Sequence, residues 1–254
     1  MFNRPYEKLE AKRIIHENPK SLLAGVLIVG ITLLYALVNL FLLGMDTLAN
    51  SVFNFVDNGI FSMHFQYTRV AVAGSVISLL LVIMTALIDV GMKGYALKLK
   101  RGQEVAFMNM FDAFSNLLKF LALIFLRGIF VFLWSLLFVI PGIIAAYRYS
   151  MSVFIMIDHP EYSALECISE SKRMMMGKKG ELFVVDLSFF GWNLLDSFIS
   201  SLILIPLLSI WLTPYVSLTY AAFYEHLIQS KTIGAGDSVP PPPPPPPGWG
   251  IPHQ

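Results

Sequence analysis

Five charged residues fall inside stretches that are otherwise almost free of charge: Asp89, Arg127, Arg148, Asp186 and Asp196. An ionised group in hydrocarbon costs at least about 2.5–3.5 kcal/mol, and more without a partner or water. Such groups belong inside a helical bundle or on a hydrated cavity. Two chemistries fit them: a structural ion pair that locks the bundle, or a polar pathway or anionic-ligand site. Arg148 lies six residues past Gly142, and Asp196 nine residues before Ile205. At about 1.5 Å per helical residue the two sit roughly 9 and 13 Å from the same edge of the membrane. An arginine side chain bridges that mismatch, so the spacing predicts an Arg148–Asp196 contact with Asp186 nearby. Arg127 falls near the midplane, Asp186 in the inner third, and Asp89 near the inner end of its segment. Tyr147 and Tyr149, beside Arg148, suit either reading.

Enzyme signatures are missing from the sequence. His16, His64, His159, His226 and His253 are scattered, with no H-E-x-x-H array, P-loop or dinucleotide fingerprint. Gly234-Ala235-Gly236-Asp237 matches the G-x-G-D string of intramembrane aspartyl proteases. In those enzymes the aspartate lies in a membrane helix opposite a second one; here it adjoins a polar, proline-rich tail, and context is what confirms a motif. The lone Cys167 excludes an internal disulfide framework and a thiolate metal cage. No catalytic residue, metal site or cofactor is expected, and the near-zero net charge of +1 offers nothing to nucleic acid.

The elements that must hold these charges are membrane helices. Hydrophobic residues make up 56% of the 254 and charged residues only 14%, where a soluble domain carries about a quarter charged. Six segments approach the roughly 20 apolar residues a span requires: 21–44, 70–95, 117–140, 142–157, 182–205 and 207–224. The fourth is the shortest, either spanning or re-entrant. The first exceeds the core of a cleaved signal peptide and reads as a retained helix. Pro141-Gly142 and Pro206 mark tight hairpins, because proline cannot continue a helix but suits the first turn of the next. Pro214 should kink the sixth helix. Basic residues within 4–20, 93–101 and 172–179, together with Lys231, fall on one side, against Arg69 alone on the other. By the positive-inside rule both termini are cytoplasmic. The expected fold is an all-α polytopic bundle of six transmembrane helices with amphipathic helices at the cytoplasmic interface. It divides into a cytoplasmic N-terminal segment (1–20), a transmembrane domain (21–228) and a cytoplasmic proline-rich tail (229–254), in a plasma membrane, with no soluble domain before or after.

The outer loop 45–69 is acidic and aromatic, with Asp46, Asp57, Phe53, Phe55, Phe61, Phe65 and Tyr67, and reads as a short helix anchored at the headgroups rather than a ligand lid. Lys172, Arg173, Lys178 and Lys179 lie on an interfacial stretch and would draw anionic headgroups at about 1 kcal/mol each. Membrane lipids are therefore expected partners. Lys12-Arg13-Ile14-Ile15 before Leu22-Leu23 has a counterpart in Lys172-Arg173-Met174-Met175 before Leu182-Phe183. The stretch 104–116, with Val105, Met108, Phe111 and Phe114 apolar, leads similarly into the middle hairpin. The pattern reads either as three units of interfacial helix plus transmembrane hairpin or as chance similarity among apolar segments.

Residues from about 133 to 225 carry a resemblance. It rests on the Pro141-Gly142 hairpin, the Tyr147-Arg148-Tyr149-Ser150 run, the Asp158-His159-Pro160 turn, Ser171-Lys172, Met176-Gly177, Phe190-Gly191-Trp192, and the closing Pro214-Tyr215 to Phe223-Tyr224-Glu225. In these the chain is similar to a bacterial family of integral membrane proteins, domain of unknown function 975. The resemblance implies architecture; the family has no established reaction or substrate to transfer. Eight prolines, Pro240 to Pro247, then precede Gly248-Trp249-Gly250. Such a run forms a stiff polyproline II rod of roughly 25 Å, a ligand for aromatic-lined grooves or a passive extension. Pro240, Pro247 and Trp249 are the candidate contacts for a cytoplasmic polyproline-binding protein. The leading expectation is a non-enzymatic bundle that binds or moves a lipid-like or small amphiphilic molecule. The alternative is a membrane scaffold that recruits a cytoplasmic partner through the tail.

Overall fold

The computed structural model describes residues 2–56, 60–203 and 206–236, and the side chains of these except 24, 42–75 and 232–236. All regular structure among the described residues is helical: α1 (Arg4–Glu17), α2 (Ser21–Val56), α3 (Ile60–Lys100), a 3-10 segment (Phe107–Asn116), α4 (Leu117–Leu137), α5 (Val139–Arg148), α6 (Ser152–Asp158), α7 (Ala164–Met174), α8 (Lys179–Ile203) and α9 (Ser209–Gly236). Asp57 and the tail residues Pro240, Pro247 and Trp249 lie outside the described residues, as do the side chains of the aromatic outer loop.

Five helical stretches are long and apolar enough to cross a membrane: Ser21–Phe41, Val76–Lys100, Phe107–Leu137, Val139–Asp158 and Lys179–Ile203. These match the first five expected spans. Their large apolar side chains face outward: Leu118, Leu136 and Leu202 are more than 70% exposed, a surface that lipid rather than water must cover. The protein is thus built as a multi-pass membrane protein. The last helix, α9, is not among the five. Trp211, Thr213, Pro214, Tyr215, Thr219 and Tyr220 dilute its hydropathy, and it packs against α1, α2, α3 and α8. A helix so enclosed needs less apolar surface than one that faces lipid. It also runs on to Gly236, so residues 229–236 continue the last helix rather than the tail.

Local chemistry sets the ends of these elements. In α1, Asn3 accepts a hydrogen bond from Tyr6 N, and α3 stops at a Schellman turn in which Gly102 takes a φ of +70°. There Gln103 N donates to Lys98 O and Gly102 N to Leu99 O. Ser163 and Glu166 form a reciprocal capping box that starts α7. Between α4 and α5 only Phe138 is extended, and Pro141 falls in the first turn of α5 as expected. Gly142 is required where the two helices touch: a methyl group there would lie 2.0 Å from Ser135 Oγ.

The fourth span is broken. It consists of α5 and α6 joined through Tyr149, Ser150 and Met151, and α6 is a short helix buried almost along its whole length. Ser171 of α7, fully buried, bridges the break: its Oγ accepts from Met151 N (3.2 Å) and donates to Arg148 O (3.0 Å). The stretch before α4 is a 3-10 helix. Three residues per turn put Phe107, Met110 and Ala113 on one face, so Met110 and Ala113 are buried while Met108, expected on the apolar side, is 69% exposed.

The core lies toward the charge-rich end of the bundle, where Leu87 to Leu99 of α3, α6, Met110, Cys167, Met175, Leu182, Phe223 and Tyr224 pack together. Ion pairs close that end. Arg101 binds Asp158 with two parallel hydrogen bonds of 2.7 Å and Glu225 with a third of 2.6 Å, tying the end of α3 to α6 and α9. The hydrogen bonds it donates to Asp158 raise the pKa of the Arg101 guanidinium above its ordinary value, against the effect of burial. Lys100 reaches Glu7 and Glu10 of α1 at 2.6 and 2.8 Å. The expected N-terminal amphipathic segment packs on protein: Ala11, Ile14 and Ile15 are buried, Phe2 meets Phe223 edge-on at 5.1 Å, and Lys8 Nζ lies 3.9 Å from the Phe189 ring.

Candidate functional site

Three of the five predicted buried charges converge. Asp89 of α3, Arg127 of α4 and Asp186 of α8 line one cavity of about 480 Å³, together with Lys93, Tyr147, Ser150, Ser217 and Tyr220. Ile143, Ala146 and Val216 supply an apolar part of the wall. Helical spacing explains who points in: Ile143 and Tyr147 are four apart on α5, Asp89 and Lys93 four apart on α3, and Val216 and Tyr220 four apart on α9.

The charges in the cavity are unequally satisfied. Lys93 Nζ donates to Asp89 one turn away. Asp186 accepts from Tyr220 Oη at 2.5 Å, and the Tyr147 hydroxyl is its second partner. Two cations and two carboxylates balance to zero formal charge. Arg127, however, makes no hydrogen bond or ion pair among the described residues, and Asp89 and Tyr220 act on it only through space. A guanidinium in a membrane helix without a direct partner is costly, and its place on the cavity wall is where that cost is least.

The expected Arg148–Asp196 contact is not formed. Tyr147 packs edge-on against Phe183 with ring centroids 6.0 Å apart, so the neighbouring Arg148 lies near the start of α8. Asp196 is 13 residues beyond Phe183, about 20 Å along the helix. Counting residues from Gly142 and Ile205 gives depth along each helix but not the offset between α5 and α8, which the Tyr147–Phe183 contact sets. Asp196 instead accepts from Ser209 Oγ at 2.6 Å, and its other oxygen is buried with no partner among the described residues. Arg148 contributes its carbonyl to Ser171.

Of the predicted headgroup residues, Arg173 pairs with Glu170 at 2.6 Å and Lys178 with Glu181 at 3.0 Å. Lys172 is exposed and Lys179 half-buried at the start of α8. Sequence reasoning missed Lys93 and Tyr220 as site residues. Lys93 was legible as the i,i+4 partner of Asp89; nothing in the sequence ties Tyr220 to Asp186.

Comparison with known proteins bears on the second half of the chain. Residues 136–231 match the family model described as Protein of unknown function (DUF975). The DUF975 segment supplies Tyr147, Asp186, Ser217 and Tyr220, whereas Asp89, Lys93 and Arg127 precede it. Both cations of the cavity are therefore contributed from outside the DUF975 segment. No curated protein and no solved structure matches the chain.

Proposed function

We propose that this protein is a non-enzymatic membrane bundle that binds or moves a lipid-like or small amphiphilic molecule through the cavity between α3, α4, α5, α8 and α9. The observation that carries this reading is the cavity itself: four charged residues and two tyrosines beside an aliphatic wall, inside helices whose outer faces are apolar. A polar head with an apolar body matches such a lining. In this reading α9 is a sixth span, both termini are cytoplasmic, and the exposed Lys172 and half-buried Lys179 meet headgroups beside the exposed Leu165 and Met176. Impermeant thiol labelling at Ser238→Cys and Asn58→Cys in intact cells tests the orientation; labelling at Ser238→Cys alone would reverse it.

Thermal unfolding of detergent-purified protein against a panel of fatty acids, lysolipids and diacyl lipids tests the binding. At least one amphiphile should raise the melting temperature, and Ser217→Trp, which fills the cavity, should abolish the shift. A stable protein that responds to none of them, or equally well with the cavity filled, would refute the proposal. A scaffold role has its own support in the sequence, the run Pro240 to Pro247 followed by Trp249, and predicts a tail-dependent partner.

A further inference from the structure

We infer that the cavity selects an anion, a phosphate or carboxylate group, and that Arg127 is its counter-charge; this rests on the binding role proposed above. The assignment follows from which lining group has no partner. Asp89 is held by Lys93 on its own helix, and Asp186 by the hydroxyls of Tyr220 and Tyr147. A cationic head would meet carboxylates that already have donors, and beside Asp89 it would be repelled by Lys93. An anion would displace nothing: the Arg127 guanidinium lines the cavity with its donors unused among the described residues. Its planar fork matches an oxyanion in two parallel hydrogen bonds. Ser217, which also lines the cavity, adds a hydroxyl donor, whereas the Ser150 hydroxyl already donates to Tyr147 O. The side chain of Ile143, half exposed, leads from the cavity to the outer face of α5, where Ile144 and Ile140 are exposed as well. An acyl chain attached to the anion has an apolar surface to follow there. The same recognition would serve a lipid headgroup or a soluble anion.

The test is native mass spectrometry and thermal unfolding of the full chain in a neutral detergent with three probes. These are a phosphatidylglycerol, a phosphatidylcholine of the same acyl chains, and inorganic phosphate. The wild type should prefer phosphatidylglycerol over phosphatidylcholine by about tenfold or more, as charge-assisted hydrogen bonds to a partly enclosed guanidinium would give. Arg127→Gln should abolish that preference while still binding amphiphile, and Arg127→Lys should retain part of it. Arg13→Gln, which removes an exposed cation of α1, should leave it intact. If Arg127→Gln fails to fold, Ala146→Phe reads the same point, since it narrows the cavity with Arg127 in place and should lower the anionic preference. A full shift with inorganic phosphate alone supports anion recognition and makes the source a soluble anion. Amphiphile binding without charge preference, or a preference unchanged in Arg127→Gln, overturns this inference while the binding role stands. No binding of any probe, to wild type or variant, fails both.

Discussion

Replacing Ser171 with alanine should be among the most damaging single-atom changes available in the charge-rich half of the protein. Where α5 gives way to α6, the turn leaves Met151 N and Arg148 O without helical partners, and one buried hydroxyl serves both. A buried group deprived of its partner costs about 1–3 kcal/mol, so two such groups bound the loss at roughly 2–6 kcal/mol. The missing oxygen leaves too little room for a water to take its place, and the better helix propensity of alanine returns only a few tenths. We expect a net loss of about 2–4 kcal/mol, read as a lowered denaturation midpoint in a mixed-micelle unfolding titration. Ser169→Ala, on the exposed face of the same helix, is the control and should stay within about 0.5 kcal/mol of wild type. Because the break also sets the direction of Tyr147, Ser171→Ala should weaken any cavity-dependent ligand shift beyond its effect on stability. If Ser171→Ala and Ser169→Ala prove equally mild, the hydroxyl does not hold the break and the reasoning fails.

Arg101→Ala should lower stability by about 1–3 kcal/mol, discounted because the group is one-third exposed, and Arg101→Lys should recover little since a point charge cannot make the paired hydrogen bonds to Asp158; full recovery by lysine in the same titration would contradict this. Cys167 is fully buried, and burial, helped by Glu166, pushes its thiol up to about 11. It should therefore resist maleimide at neutral pH until the protein is unfolded, and rapid labelling of the native protein in a mass assay would show the packing to be wrong. Removal of residues 237–254 should leave the melting temperature unchanged while any tail-bound partner is lost from co-purification. Trp249→Ala should remove much of that capture, and identical partners from full-length and truncated protein would leave the tail an extension only.

Much of this architecture was legible because hydropathy and length act locally. The spans showed as uncharged runs, and Pro141 took the first turn of its helix for the reason that makes proline suitable there. The cost of burying charge gave only the general expectation that such groups face an interior or a hydrated cavity; that Asp89, Arg127 and Asp186 line the same one was not part of it. The pairing did not follow. Counting residues from a presumed edge gives depth along one helix, whereas the offset between two helices is set by contacts such as Tyr147 on Phe183, which no single-segment count contains. The exposure of Met108 was missed because the row Val105, Met108, Phe111 and Phe114 was read as the apolar side, whereas Met110 and Ala113 of the neighbouring row are the buried ones. The sixth expected span is a different case: α9 is not among the five helices apolar enough to cross a membrane, and it packs on α1, α2, α3 and α8.

The unmatched Arg127 bears on how the protein is made. During synthesis α4 emerges before α8 and α9, so this arginine meets the insertion machinery ahead of Asp186 and Tyr220. Fifteen of the 21 residues of α4 are Leu, Ile, Phe or Val. At about 0.3–0.6 kcal/mol each, they outweigh the roughly 2.5–3.5 kcal/mol that a central arginine opposes. The segment can thus partition into lipid as an independent unit, carrying its charge without help from a later helix. Insertion of α4 therefore does not depend on the guanidinium being neutralised by a later part of the chain.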